Sequence, residues 1–351
     1  MSERAVIDLR SDTVTKATPA MRRAMAEAEV GDEIREGDPT ADRLEAMVAE
    51  ITDHDQALFC TSGTMGNLIA FLCHLRPGQE VIAERNSHFL HYESGGISAI
   101  VGALPRPLPG TAGRLDLGQL AAEIRPGTTH IPGTALIVAE NTHNLAGGTC
   151  LDPGYMNRLW DTARSHGIPV HLDGARVWNA AVALGVPVSA LTSGCASVMV
   201  DLSKGLGAPY GSLLCGNADL VERARLFRQR LGGGVRQIGH MAAAGIIALQ
   251  TMFERLAEDH TNARRLAEGI HAVRPELVDL DPVQTNMVVV ETAPAGLTGR
   301  QLSAKLEEGG VLCHATGSHR IRLVTHCDVS AEQIEQALAI IMNVLRSLPS
   351  S

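Results

Sequence analysis

The stretch Val198-Met-Val-Asp-Leu-Ser-Lys-Gly-Leu-Gly207 decides the fold when it is compared with Ile168-Pro-Val-His-Leu-Asp-Gly-Ala-Arg176. Each contains a short apolar run that stops at polar residues, Ser203 and Lys204 in one stretch and Asp173 in the other. Such a run, bounded by turn residues, is typical of a buried parallel strand. Ligands of open α/β sheets lie just beyond the carboxyl ends of these strands. The two stretches are one β-α-β repeat apart, so we expect Asp173 and Lys204 to face one pocket.

A lysine and an aspartate placed in this way suit one kind of cofactor chemistry. A lysine amine can form a Schiff base with pyridoxal 5'-phosphate, and an aspartate can keep the pyridine nitrogen of that cofactor protonated. The pair Lys204 and Asp173 therefore predicts a pyridoxal-phosphate site, and the rest of the chain tests the hypothesis.

The composition excludes several other classes of protein. The chain has 351 residues, of which 45% are hydrophobic and 20% charged, so we expect a globular protein of about two domains. A net charge of −9 without a basic run argues against a nucleic-acid partner. No apolar run approaches the ~20 residues that span a bilayer, and Met1-Ser-Glu-Arg-Ala5 lacks an apolar signal core. The seven scattered cysteines include no Cys-x-x-Cys pair, which favours reduced thiols in the cytoplasm and argues against a zinc site.

Strand-like runs alternate with helical stretches over most of the chain, which predicts an α/β fold with a mainly parallel, doubly wound sheet. The run from Val81 ends near His88, and the run from Ala135 ends at Glu140 and His143. With Asp173 and Lys204, four predicted strand exits thus carry polar side chains that converge on one edge of the sheet. We predict a large cofactor-binding domain over residues 1–250 and a smaller C-terminal α+β domain over residues 251–351.

The segment from Ala57 to Asn67 has the pattern of a strand, a turn and the start of a helix. The first N–H groups of a helix have no partners within it, and the helix dipole favours an anion there. Gly63 lets the backbone approach a phosphate, and Ser62 and Thr64 add hydroxyl groups. A simple N-cap explains the same residues equally well, so both interpretations stay open.

Three further residues are candidates for binding an anion. Arg236 follows three consecutive glycines and could present a cation to a phosphate, although the segment could also be a flexible connector. Arg322, on a half-buried strand, could clamp a carboxylate with two parallel hydrogen bonds or form a surface ion pair. Ser11 fits either a ligand role or a turn.

Taken together, these segments resemble the L-threonine aldolase family of the low-specificity type, which are fold-type I pyridoxal-phosphate enzymes of the β-eliminating lyase superfamily. The resemblance runs from Asp8-Leu-Arg-Ser-Asp-Thr13 to Ile321-Arg-Leu-Val-Thr-His326 and so covers nearly the whole chain. Between them it includes Ser62-Gly-Thr-Met-Gly-Asn67, Glu140-Asn-Thr-His-Asn144 and Gly232-Gly-Gly-Val-Arg-Gln237, beside the two stretches quoted first.

The resemblance implies how the cofactor is held. Lys204 would carry pyridoxal phosphate as a Schiff base, and Asp173 would pair with the pyridine nitrogen. His88 would stack on the ring, while Gly63 and Thr64 would hold the phosphate.

It also implies how a substrate is held. Arg176 would lie near the oxygen of the cofactor ring, Ser11 and Arg322 would bind the substrate carboxylate, and His143 would lie near the β-hydroxyl group. In this family the site lies at a subunit interface, which implies a homodimer or homotetramer and allows Arg236 to come from the neighbouring chain.

The implied reaction is the reversible retro-aldol cleavage of L-threonine, L-allo-threonine and related β-hydroxy-α-amino acids to glycine and an aldehyde. His143 is the favoured base because His88 would be occupied by stacking, and a water-relayed proton transfer that involves both histidines is the alternative. The chain departs from the family pattern at Arg35, where a tyrosine is frequent, and at Gln229, where a lysine is frequent. Both departures lie in segments expected to reach a neighbouring subunit's site.

Other functions compete with this one. Another pyridoxal-phosphate reaction on the same fold, such as β-elimination, transamination or racemisation, is the nearest alternative because fold does not determine reaction. A non-catalytic binding protein of the same fold is a second. A nicotinamide or metal enzyme is disfavoured, since no Gly-x-Gly-x-x-Gly follows a strand and no His/Cys cluster has the spacing of metal ligands.

Overall fold

The computed structural model of the protein describes residues 6–348, so the segment at 1–5 that lacks a signal core, and the outer ends of both predicted domains, lie outside the described residues. The strands are β1 Ile7–Asp8, β2 Gln56–Cys60, β3 Glu80–Glu84, β4 Leu104–Leu108, β5 Gly110–Thr111, β6 Arg114–Leu115, β7 Thr134–Glu140, β8 Val170–Gly174, β9 Ser197–Asp201, β10 Ser212–Gly216, β11 Met287–Glu291, β12 Val311–Leu312, β13 His314–Gly317 and β14 Arg320–Val324.

The α-helices alternate with these strands. They are α1 Pro19–Ala26, α2 Pro39–Thr52, α3 Gly63–His74, α4 His88–His91, α5 Gly96–Ala99, α6 Leu117–Glu123, α7 Pro153–Ser165, α8 Val177–Leu184, α9 Ser189–Thr192, α10 Ala218–Arg230, α11 Gly239–Thr251, α12 Leu256–Val273, α13 Gly299–Glu308 and α14 Ala331–Arg346. Among the described helices, none combines the length and the apolar character needed to cross a membrane.

The central sheet has the strand order β2-β10-β9-β8-β7-β3-β4. The strands from β9 to β4 pair in parallel, whereas β10 runs antiparallel to both β9 and β2. Strands β3, β8 and β9 are buried along their whole length, as their apolar runs predict. The mainly parallel α/β sheet is confirmed, and the carboxyl ends of β3, β7, β8 and β9 meet at one edge of it.

One outer strand of this sheet, β4, contains two prolines. Pro105 and Pro107 stand opposite Val81 and Ala83 of β3. Leu104 N–H donates to a carbonyl just before β3, and the Leu108 carbonyl accepts from Arg85 N–H just after it. Because successive residues of a strand direct their backbone groups to opposite sides, the backbone of both prolines faces away from the sheet.

The C-terminal part forms a smaller unit with its own apolar cluster. Its three-stranded antiparallel sheet, β11-β14-β13, packs with α13 and α14. Ile7 and Leu9 belong to the same cluster, and β1 pairs in parallel with β12. The N-terminal segment therefore packs with the C-terminal unit, and the division at residue 250 stays a prediction.

Ser330 and Gln333 have the sequence spacing of a capping box, which predicts the start of the last helix. Ser330 accepts a hydrogen bond from Gln333 N–H, and the Gln333 side chain accepts from Ser330 N–H, which forms the expected capping box. Ile334, Ile341 and Leu345 on its apolar face are buried against the small unit.

Candidate active site

Lys204 lies in a cavity of about 290 Å³ at the carboxyl ends of the parallel strands, here called the Lys204 cavity. The same cavity is lined by Ser11, His88, Arg176 and Arg322. The fold thus brings together residues that are far apart in the sequence, from Ser11 near the start of the chain to Arg322 near its end.

The Lys204 amine has a carboxylate beside it. Its Nζ lies 3.3 Å from Oδ2 of the buried Asp201, at the end of β9. Asp201 also accepts hydrogen bonds from Ser203 N–H at 2.6 Å and from the Ser212 hydroxyl at 3.1 Å. A Cβ atom built on Gly63 would lie 3.1 Å from the same Oδ2, so the start of α3 lies next to Lys204.

Both interpretations of the turn before α3 fit the structure. Ser62 caps the helix, because its hydroxyl accepts from Met65 N–H at 3.2 Å. The N–H groups of Gly63 and Thr64 find no acceptor among the described residues. Since they open a helix of 12 residues, they are free to bind an anion beside the Lys204 amine.

Asp173 lies below the cavity and is almost fully buried. Its Oδ1 accepts from Ala175 N–H at 3.1 Å, and its Oδ2 accepts from the Asn67 amide at 2.9 Å. The other N–H of that amide donates to Glu93 Oε1 at 2.9 Å. A carboxylate that accepts such bonds is the partner that a protonated pyridine nitrogen requires.

His88 borders the cavity above this pair of carboxylates. Its Nδ1 lies 3.0 Å from Glu93 Oε1, and its backbone N–H donates to Glu140 Oε2 at 2.6 Å. Burial lowers the pKa of His88, but the hydrogen bond with Glu93 and the charges of Asp173 and Glu140 outweigh burial and raise this pKa above its usual value.

The polar atoms of His88, Glu93 and Asp173 lie within 4.8 Å of one another, which is close enough to hold a metal ion. The resemblance assigns His88 and Asp173 to the cofactor ring instead. The absence of a bound metal stays a prediction.

Arg176 is already neutralised by a carboxylate. It makes a bidentate ion pair with Asp12, with Nε donating at 2.8 Å and Nη2 at 2.7 Å, and both residues are buried. Asn286 donates a further hydrogen bond to Asp12. Burial raises the pKa of the Asp12 carboxyl, but the charge and hydrogen bonds of Arg176 outweigh burial and hold this pKa well below its usual range.

Arg322 has no carboxylate partner among the described residues. Its Nη1 donates to the Asn144 side chain at 2.6 Å, and its buried Nε has no hydrogen-bond partner in this part of the chain. Burial and the nearby charge of Arg176 lower the pKa of Arg322 to about 10. A guanidinium that faces a cavity without a counter-ion is suited to binding an anionic ligand.

The structure does not place His143 in the Lys204 cavity. Its neighbours Thr142 and Asn144 line that cavity, whereas His143 lines a second cavity of about 460 Å³. Its Nε2 lies 3.2 Å from Glu84 Oε2, and its Nδ1 accepts from Ala146 N–H. Burial lowers the pKa of His143, but the charges of Glu140 and Glu84 outweigh burial and raise this pKa.

Arg236 also lies outside the Lys204 cavity. It is exposed and pairs with Asp32, with Nη1 and Oδ1 3.0 Å apart. Arg35 is exposed on the loop that also carries Asp32, with its Nε 3.8 Å from Asp32 Oδ2. Gln229 is exposed at the end of α10. Within one chain, these residues do not reach the Lys204 amine.

Several polar residues of the site received no role from the sequence: Asp12, Asn67, Glu93, Asp201 and Asn286. Asp12 and Asn67 stand inside motifs that carry the family resemblance, and Glu93 follows His88 by one helical turn and a bend. Their positions in or near these motifs could have identified the three residues as candidates for the site. Asn286 has no comparable signal, since it comes to Asp12 only through the fold.

The chain is similar to known enzymes in its sequence and in its fold. A family model described as beta-eliminating lyase matches residues 8–293. "Low-specificity L-threonine aldolase 1" of Arabidopsis thaliana is 43% identical over 97% of this chain and 97% of its own length. "Low specificity L-threonine aldolase" of Escherichia coli (strain K12) is 40% identical over 95% of this chain and 98% of its own. The solved structure of Leishmania major threonine aldolase has a TM-score of 0.81 at 20% identity and covers 97% of this chain and 99% of its own.

A mostly parallel sheet with a lysine and a buried aspartate at its carboxyl edge suits pyridoxal phosphate, and the matched family and relatives give the class, that of pyridoxal-phosphate-dependent lyases. The family match covers most of the chain, and the relatives align over nearly its full length. The chain belongs to the beta-eliminating lyase family and, within it, to the low-specificity L-threonine aldolases. The predicted family, the fold-type I architecture, the lyase class and the pyridoxal-phosphate cofactor are thereby confirmed.

Proposed function

We propose that the protein cleaves L-threonine, L-allo-threonine and related β-hydroxy-α-amino acids to glycine and an aldehyde. The observation that carries this proposal is the guanidinium of Arg322, which faces the Lys204 cavity without a carboxylate partner in the described chain. An amino acid offers a carboxylate for that cation and an amine for the same cavity. The names of the aligned relatives support the choice of substrate.

The residues of the cavity fit pyridoxal phosphate. When bound, this cofactor withdraws electrons from the α-carbon of an attached amino acid. Lys204 would hold it through its amine, Asp173 through the pyridine nitrogen, and the free N–H groups of Gly63 and Thr64 through the phosphate. His88 would stack on its ring.

Arg322 would bind the substrate carboxylate, with help from the Ser11 hydroxyl. Ser11 lies in the same cavity, and its oxygen accepts from the Thr13 hydroxyl at 2.9 Å, which leaves its own hydrogen to donate. Fixing the carboxylate would orient the Cα–Cβ bond for cleavage, which is catalysis by positioning. Arg176 is paired with Asp12, and the family resemblance assigns it to the oxygen of the cofactor ring.

A histidine would take the proton of the β-hydroxyl group, because the usual pKa of histidine lies near the working pH. His143 is the predicted base, although His88 lines the Lys204 cavity and His143 does not. Comparing the turnover of His143→Asn and His88→Asn separates them, since the essential base cannot be the one whose replacement leaves full turnover.

We also propose that the protein is a cytoplasmic homodimer or homotetramer whose sites lie at a subunit interface. Two neighbouring loops meet where Arg236 pairs with Asp32, and Arg35 lies on the Asp32 loop. These loops also expose the apolar side chains of Ile34 and Val235, which suits a protein contact. On that arrangement Arg236 would serve a neighbouring site. The free cysteines support the cytoplasmic location.

The test is a product assay on the loaded enzyme. L-Threonine should give glycine and acetaldehyde in equal amounts, and Lys204→Ala should abolish both. Ammonia and a keto acid as the products would instead indicate β-elimination. Borohydride reduction followed by peptide mass mapping should place a pyridoxyl group on Lys204, and a label on another lysine would contradict that assignment.

A further inference from the structure

A line of polar side chains, buried except for the half-buried His74, runs through the protein interior and ends at Asp173. It consists of His74, Ser197, His171 and Asn67 and is here called the Asn67 relay. His74 Nε2 lies 2.8 Å from Ser197 Oγ, and Ser197 Oγ lies 2.8 Å from His171 Nδ1. His171 Nε2 then lies 3.1 Å from Asn67 Oδ1.

The direction of each hydrogen bond in the Asn67 relay follows from the two carboxylates at its end, Asp173 and Glu93. The Asn67 amide lies 2.9 Å from both Asp173 Oδ2 and Glu93 Oε1. Ionised carboxylate oxygens only accept, so both amide hydrogens point to them and Asn67 Oδ1 must accept from elsewhere. His171 therefore carries its hydrogen on Nε2 and donates it to Asn67.

The rest of the relay follows from the charge of His171. Burial, helped by the nearby His74, lowers the pKa of His171 to about 3, so the ring is neutral and its Nδ1 accepts from the Ser197 hydroxyl. Burial and the charge of Arg223 lower the pKa of His74 to about 4, and its Nε2–H donates to Ser197. Every donor thus points toward Asp173 and Glu93.

We propose that Asn67, held by His171 and Ser197, is a positioning residue that keeps the Asp173 carboxylate turned toward the pyridine nitrogen of the cofactor. This inference rests on the proposed role of Asp173. The two buried carboxylates lie close together, and Asn67 gives each of them a separate donor. Without that donor, the Asp173 carboxylate would lose the contact that fixes its orientation and would hold the pyridine proton less well.

The proposal also explains why Asn67 is on α3. It lies one helical turn after Gly63, whose N–H is free at the start of the same helix. A single helix would therefore position two groups: the phosphate, through Gly63, and the Asp173 carboxylate, through Asn67.

The experiment uses the holoenzyme loaded with pyridoxal 5'-phosphate that carries nitrogen-15 in its ring. The chemical shift of this nitrogen distinguishes its protonated form from its neutral form. We expect Asn67→Leu to move the shift toward the neutral form and to lower kcat by at least about tenfold, the effect of losing one hydrogen bond to a charged group. His171→Leu should move the shift in the same direction, and His171→Gln, which keeps an N–H donor, should restore most of it.

Further measurements keep the outcomes distinct. Thermal unfolding of each variant without cofactor separates a loss of stability from a change at the ring, and the His171 pair serves as the test if Asn67→Leu does not fold. The proposal is overturned if the variants lose stability but keep the wild-type nitrogen shift while Asp173→Asn loses it. If Asp173→Asn itself keeps the pyridine proton, the role of Asp173 fails and the relay fails with it, whereas the product assay still decides the reaction.

Discussion

At the scale of single residues, the site is organised by which charges are paired. Arg176 and Asp12 neutralise each other, and Lys204 lies beside Asp201. Arg322 is left with only the neutral Asn144 as a partner in the described chain. Among the described residues named here, Arg322 is therefore the cation that we propose for the substrate carboxylate.

Replacing Arg322 should affect substrate binding far more than cofactor binding. Arg322→Gln removes the charge, and we expect kcat/KM for L-threonine to fall by at least about 100-fold, since hydrogen bonds to charged groups contribute about 1.5–3 kcal/mol each. Arg322→Lys keeps the charge but loses the planar fork and should retain part of the activity. Steady-state kinetics measures the first effect, and a titration with pyridoxal phosphate should show unchanged loading. A fall in loading that matched the fall in kcat/KM would show that Arg322 serves the cofactor instead.

Asp201 should contribute to stability as well as to the site. Its carboxylate accepts from Ser203 N–H, the Ser203 hydroxyl and the Ser212 hydroxyl. Asp201→Ala leaves these donors without an acceptor, so we expect the free energy of unfolding to fall by about 2–4 kcal/mol. Ser212→Ala removes one donor only and should cost about 1 kcal/mol. Urea unfolding measures both, and a loss below that of Ser212→Ala would contradict the role of Asp201.

At the scale of secondary-structure elements, helix starts connect distant segments. Asp38 is fully buried and accepts from Thr40 N–H and Ala41 N–H in the first turn of α2. It also accepts from Gly239 N–H at 2.9 Å, the first residue of α11. One carboxylate therefore caps α2 and fixes the start of another helix.

Removing this shared acceptor should be costly. Asp38→Ala leaves four backbone donors without it, the three above and the more distant Gly31 N–H at 3.4 Å, and we expect the free energy of unfolding to fall by about 3 kcal/mol or more. Asp38→Asn keeps one acceptor oxygen and should lose less. Urea denaturation of the two variants checks the order, and equal losses would show that hydrogen bonding at this position is not what matters.

The elements that the sequence predicted are those with a local cause. Apolar runs bounded by polar residues predicted β8 and β9, and the pair Ser330 and Gln333 predicted the start of α14. Strand β4 gave no such signal, because prolines are depleted in strands and are tolerated here only at the edge of the sheet. The pairing of β1 with β12 joins opposite ends of the chain and has no local cause.

The site shows the same division between local and distant causes. Convergence of Asp173, Lys204 and His88 followed from strand exits, which a single sequence reveals. The Asp12–Arg176 pair joins residues far apart in the chain, and the position of His143 depends on the direction that its side chain takes. Neither is encoded in a local pattern, so neither was predictable without the fold.

At the scale of the whole molecule, three histidines link stability to acid. Burial lowers the pKa of His74 and His260 to about 4 and, with the charge of His74, that of His171 to about 3. Their folded pKa values lie below the unfolded value of about 6.5, so the unfolded chain binds more protons between these limits. The stability from these rings is fully present above about pH 6.5 and is lost as the pH falls toward 4.

His260 gives a test of this link outside the Asn67 relay. Each such histidine should add about 1.4 kcal/mol per pH unit to the decline of the unfolding free energy between pH 6.5 and 4.5. We expect His260→Gln, whose side chain does not titrate, to show a decline that is shallower by about that amount. Urea unfolding at several pH values measures the difference, and identical slopes for the two proteins would contradict it.

The outer side of β4 bears on how copies of this chain can associate. The backbones of Pro105 and Pro107 face away from β3, and proline has no N–H to offer. A strand that added to this side would find carbonyl groups but no donors at alternate positions, and so could not complete a ladder. This margin of the sheet is therefore closed to the growth of a continuous β-structure from molecule to molecule, and copies of the chain that associate at β4 must do so through side chains and not through backbone pairing.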